Sequence, residues 1–236
     1  MSAAATNVVA TLRGRLTTTV GRELLVGVTG LALVGFILVH LAGNFLIYAG
    51  PKAINDYSHT LHGLGELLWV ARIGLIAAFV THIVAAISLA RANRSARAQH
   101  YESVVYSGRK SPATRLMVLS GLIILTFLII HLYDFTLREP GSRALVNGED
   151  LGLYGVLWNA FGNPLHAGLY VVAMIFLGMH LSHALASVWV TLGILRDKST
   201  PNADLIARVF GAAMALGFSS IPVYICFRAF VQGGQH

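Results

Sequence analysis

The run from Pro164 to Gly193, PLHAGLYVVAMIFLGMHLSHALASVWVTLG, holds no Asp, Glu, Lys or Arg over thirty residues. At 1.5 Å per residue, a helix of that length crosses a bilayer core of about 30 Å. Near its middle sit His180 and, one turn on, His183. A proton-binding ring in hydrocarbon is costly and marks a functional position. Three further apolar stretches carry one histidine each: His40, His82 and His131.

Composition agrees with a chain that lives in lipid. Charged residues make up 11% and hydrophobic ones 56%, where soluble domains carry about 25% charged residues. One cysteine, Cys226, excludes an internal disulfide and argues against a cysteine-ligated iron–sulfur cluster. The net charge of +7 sits in loops beside apolar spans, which is a topology signal and not a nucleic-acid footprint. The N-terminal MSAAATNVVATLRGR lacks the pattern of a removable signal peptide, and none is expected.

Five apolar segments are expected as transmembrane helices, at about 23–48, 67–90, 115–136, 164–193 and 205–230, within one transmembrane domain spanning 1–236. The fold class is therefore all-α integral membrane. Gly50-Pro51 ends the first segment, and a polar connector, KAINDYSHTLHGLGE, leads to the second. In the connector before the fourth segment, Leu153, Leu157, Trp158 and Phe161 are expected along the membrane interface. Arg13, Arg15, Arg22, Arg91, Arg94, Arg97, Arg109, Lys110, Arg115, Arg196, Lys198 and Arg208 fall on one side. Only Lys52, Arg72, Arg138, Arg143 and Arg228 fall on the other. This asymmetry predicts a cytoplasmic N-terminus and an outside C-terminus.

Counting from each helix midpoint places His40 and His131 at an outer level. His82 and either His180 or His183 lie at an inner level. Two pairs at two depths, each from different helices, match what two stacked b-type haems require, each iron taking two axial imidazoles. Gly30, Gly35, Gly43, Gly74, Gly121, Gly168 and Gly178 leave room for porphyrins, or for close helix packing. Zinc is disfavoured because structural sites gather four close ligands. A carboxylate proton relay is disfavoured too, since Glu66 and Asp134 sit near outer helix ends and Glu23 at the inner surface.

The segments GRELLVGVTGLALVGFILVHLAGNFL, NDYSHTLHGLGELLWVARI, TRLMVLSGLIILTFLIIHLYDFT and GMHLSHALASVWVTLGI occur in that order. With them the chain resembles, over nearly its whole length, the single-polypeptide, five-helix dihaem cytochrome b anchor of bacterial succinate dehydrogenase and fumarate reductase. The resemblance implies His40 and His131 as outer haem ligands, and His82 and His180 as inner ones. It prefers His180 to His183 because the family ligand opens a run like His180, Ser182, Ser187 and Gly193. His183 remains the alternative inner ligand.

The resemblance further implies a multi-pass subunit of the bacterial cytoplasmic membrane that does not itself oxidise succinate. A flavoprotein with covalent FAD would do so, and an iron–sulfur subunit would pass electrons through two haem b groups to quinone, usually menaquinone. Lipid surrounds the chain, no nucleic acid is involved, and a higher oligomer of the complex is compatible with the pattern. Candidates for the quinone site are Tyr57, His59, His62, Glu66 and Arg72. Candidates for propionate contacts or an inner site are Arg22, Thr29, Arg115 and Ser120. The competing readings are a dihaem anchor of a hydrogenase or formate dehydrogenase, and a non-redox transporter with interhelical histidines.

Overall fold

The computed structural model describes Gly14 and residues 18–96, 113–193 and 201–233. Arg13, Arg15, Arg97, Arg109, Lys110, Arg196 and Lys198, counted above for topology, lie outside the described residues, as does the side chain of Arg115. The helices are α1 (Thr19–Asn44), α2 (Pro51–Gly63), α3 (Glu66–Ala96), α4 (Ala113–Leu132), α5 (Gly152–Phe161), α6 (Pro164–Thr191) and α7 (Pro201–Gly233). Five of them, α1, α3, α4, α6 and α7, are long and apolar enough to cross a membrane. The chain is an all-α, multi-pass membrane protein.

Local chemistry starts these helices where the sequence demands it. Thr18 caps α1 by accepting from the Gly21 amide at 3.1 Å, and Asn163 caps α6 from the Leu165 amide at 2.9 Å. Both satisfy amides that have no partner within their helix. Pro51 and Pro164 open α2 and α6, where the missing N–H costs nothing. Gly50 has φ +96°, which a side chain would resist.

Contacts between helices set their directions. Gly27, early in α1, faces Val188 and Thr191 at the end of α6. Tyr48, beyond the far end of α1, bonds Ser220 late in α7 at 2.6 Å. Ser120, early in α4, meets His180, whereas Asp134, beyond its end, meets His166 at the start of α6. The five spans therefore alternate between a near face, where α1 begins, and a far face. Among the described residues, α6 packs most extensively on α7, α3 on α1 and α4 on α6; α3 and α4 share no substantial contact.

The buried core lies toward the far face: Leu41, Ile47, Ile54, Leu157, Phe161, Tyr170, Ile221 and Ile225 form one cluster. Two short helices close it. The polar connector after Gly50 is α2, an amphipathic helix. The segment expected on the membrane interface is α5, and Leu157 and Phe161 are 6% and 3% exposed. Its Gly155 lies so close to the Ala144 carbonyl that no side chain fits there, so α5 packs into protein. Before it, Asn147 and Gly148, both at positive φ, turn a two-residue hairpin between β1 (Leu145–Val146) and β2 (Glu149–Asp150).

Two histidine pairs and a far-face cleft as the candidate functional site

The membrane histidines make their contacts at two levels of the bundle. At the near level His82 of α3 reaches α1, its Nδ1 lying 3.2 Å from Thr29 Oγ1. The Thr29 hydroxyl donates to the Leu25 carbonyl at 2.5 Å, so it accepts from the ring. His180 of α6 repeats the device on α4: its Nδ1 lies 3.0 Å from Ser120 Oγ, which donates to the Met117 carbonyl at 3.1 Å. In both rings the proton is held on Nδ1, leaving Nε2 as a free lone pair. Histidine ligands are oriented by their second nitrogen in this way.

Glycine makes these approaches possible. A Cβ on Gly30 would sit 3.3 Å from His82 Cε1, and one on Gly121 would sit 3.6 Å from His180 Cε1. His183, half-buried one turn further, makes no hydrogen bond among the described residues. Thr29 and Ser120, expected as propionate or inner-site contacts, are the hydrogen-bond partners of the two rings.

At the far level the rings of His40 and His131 meet edge-on, with centres 5.8 Å apart and planes at 88°. Aromatic packing holds these rings: Phe36 stacks on His40 at 5.3 Å, and Phe127 and Phe135 flank His131 at 5.7 and 5.4 Å. Thr29 precedes His40, and Ser120 precedes His131, by eleven residues each. The two levels are thus about 16 Å apart along both helices.

Beyond His131 the chain makes a π-helical turn, Tyr133–Leu137. There Asp134, 7% exposed, accepts from His166 Nε2 at 2.9 Å and from the Tyr170 hydroxyl at 2.8 Å. Arg143 Nη2 donates to the Asp134 backbone carbonyl at 2.7 Å. Among the described residues, two buried side-chain atoms lack a hydrogen-bond partner: His131 Nδ1 and Arg143 Nη1. Each such atom costs about 1–3 kcal/mol, and a bound anionic group at this level offers Arg143 an acceptor. Sequence reasoning placed Asp134 at a helix end and missed its bonded partners. The available signal was Asp134 three residues after His131, with His166 and Tyr170 one turn apart.

Also toward the far face is a cleft of about 710 Å³, lined by residues including Asn55, His59, His62, Phe135, Asp150 and Val156. Phe135 is its link to the histidines, since it lines the cleft and its ring lies against His131. His62 Nδ1 donates to the Ser58 carbonyl at 2.8 Å, which leaves Nε2 available. The other quinone candidates sit elsewhere. Tyr57 packs on Gly43, where a Cβ would lie 2.5 Å from its Oη. Arg72 stacks over Trp69 at 5.1 Å, and Glu66 begins α3 outside the cleft lining. Arg22 lines a separate groove on the near side.

Among the described residues, no group of three or more His, Cys, Asp or Glu side chains gathers as a metal cluster. His40 and His131 are in direct ring contact. No family model, curated protein or solved structure matches the chain.

Proposed function

We propose that this chain is the dihaem cytochrome b anchor of a bacterial succinate:quinone oxidoreductase, working as succinate dehydrogenase or fumarate reductase. The near face is cytoplasmic in this reading, with the flavoprotein and iron–sulfur subunits docked there. The observation that carries it is the placing of four membrane histidines at two levels, His40 against His131 at the far one, and His82 and His180 at the near one, each with its Nδ1 on a hydroxyl. Bound haem would supply one-electron carriers at the two levels. His82 and His180 would hold the inner group, and His40 and His131 the outer.

The residues present fit such groups. Thr29 and Ser120 lock the near tautomers, the aromatic wall orients the far rings, and Arg143 has an N–H left for a propionate. Quinone, of the menaquinone type, would occupy the far-face cleft. Its reduction takes two electrons and two protons, so proton donors must stand beside it. His59 and His62 line the cleft, and the Asp134–His166 pair holds a further proton next to His131.

A dithionite-reduced minus oxidised spectrum of the purified chain, with haem counted per polypeptide, tests the reading. Two low-spin b haems support it. Co-purification of a covalent flavin subunit then separates it from a hydrogenase or formate dehydrogenase anchor. The buried Asp134, bonded to His166 and Tyr170, favours a second reading, a proton-linked transporter. Absence of haem in protein made with ample haem supply would bring that one forward.

A further inference from the structure

On the near side, α1 and α3 border a groove of about 610 Å³ whose lining includes Arg22, Val84, Ile87, Ser88, Arg91 and Ser95. Among the described residues, no acidic side chain lines it and neither guanidinium has an ion-pair partner. Arg91 follows His82 by nine residues, which at about 100° per residue is half a turn round the helix. The groove therefore opens on the face of α3 turned away from the histidine pair.

The same face carries Ile73, Ile76, Val80, Val84 and Ile87, spaced by three or four residues and between 41% and 63% exposed. This stripe is about 21 Å long, enough to line one leaflet of a core about 30 Å thick. It leads to Arg91. An apolar track ending at two guanidiniums and two hydroxyls matches a molecule with a hydrocarbon tail and an anionic head.

We propose that this groove binds an anionic phospholipid, its phosphate between Arg22 and Arg91 and an acyl chain along the Ile73–Ile87 stripe. Guanidinium–phosphate pairs are charge-assisted and bidentate, and basic pockets between membrane helices suit acidic headgroups. A soluble anion would use the arginines but not the stripe. A zwitterionic lipid would bring its own cation toward them. The site needs only a chain that spans a bilayer and does not rest on the redox function.

Native mass spectrometry of the full-length protein in detergent tests this, with phosphatidylglycerol, phosphatidylcholine and inorganic phosphate as probes. The wild type should hold phosphatidylglycerol at least about tenfold more tightly than phosphatidylcholine, and millimolar phosphate should not displace it. The double variant Arg22→Gln, Arg91→Gln should lose that preference. Arg208→Gln, which removes one charge elsewhere on the near side, should keep it. Equal binding by wild type and double variant would overturn the site, and displacement by phosphate would reduce it to a simple anion site. Should the double variant fail to fold, absence of a lipid preference in the wild type is itself decisive. A haem-free spectrum would sink the redox reading and leave this result standing.

Discussion

The two histidine levels are built from different materials. At the near level each ring is tied by one hydrogen bond to a hydroxyl on a neighbouring helix, over a glycine that lets the ring approach. At the far level the rings are wedged among Phe36, Phe127 and Phe135, and His131 Nδ1 has no partner. A hydrogen bond fixes a tautomer and tunes the basicity of the free nitrogen. Aromatic packing fixes orientation and excludes water, but leaves ring electronics to whatever binds. The near level is thus sensitive to a single hydroxyl, and the far level to its wall and to the Asp134 cluster behind it.

Removing a ring should have the largest effect. His40→Ala or His131→Ala should abolish one haem, His82→Ala or His180→Ala the other, each leaving half of the haem content by spectrum. His183→Ala should leave both. If His183→Ala emptied the near level and His180→Ala did not, the near pair would have to be redrawn.

Next comes the carboxylate that only the far level possesses. Asp134→Asn should lower quinone reduction by about a hundredfold, the scale of a lost acid–base group. Haem content should stay unchanged. Parallel loss of haem would make Asp134 structural.

Thr29→Val and Ser120→Ala probe the near level. Loss of a partner that orients a ligand costs about ten- to a hundredfold in affinity. Each should weaken retention of the inner haem on that scale, measured by haem loss to an acceptor protein. Each should also raise that haem's midpoint potential, because the ring becomes less electron-rich. The outer haem's potential should stay put.

The smallest effect separates the two glycines. Gly30→Ala brings a Cβ to 3.3 Å from His82 and should lower stability by about 1 kcal/mol, read as a reduced thermal midpoint. Gly121→Ala meets His180 at an ordinary 3.6 Å and should fall within about 0.5 kcal/mol of wild type.

Much of this architecture is legible residue by residue. Uncharged runs of helix-spanning length announce all five membrane helices, because hydrocarbon excludes charge wherever it is not paired. Midpoint counting sorts the histidines into levels, since rise per residue is constant along a helix. It could not choose between His180 and His183, one turn apart. Ser120, sixty residues from His180 in the chain, is the hydrogen-bond partner that the structure gives to His180. Helix α2 was hidden because its polar face reads as a loop, although Gly50-Pro51 is also a helix-start signal.

What the sequence determined by itself is therefore the solvent each segment requires: five spans in lipid, basic connectors gathered on one side, and histidines at two depths. The tertiary structure decided which groups meet. It put Thr29 on His82, turned α5 inward against the Ala144 carbonyl, and brought Asp134 to His166 and Tyr170. Partition between water and hydrocarbon is a sum over consecutive residues and can be read locally. A hydrogen bond between residues 32 or 36 positions apart depends on how helices cross, which no local window contains.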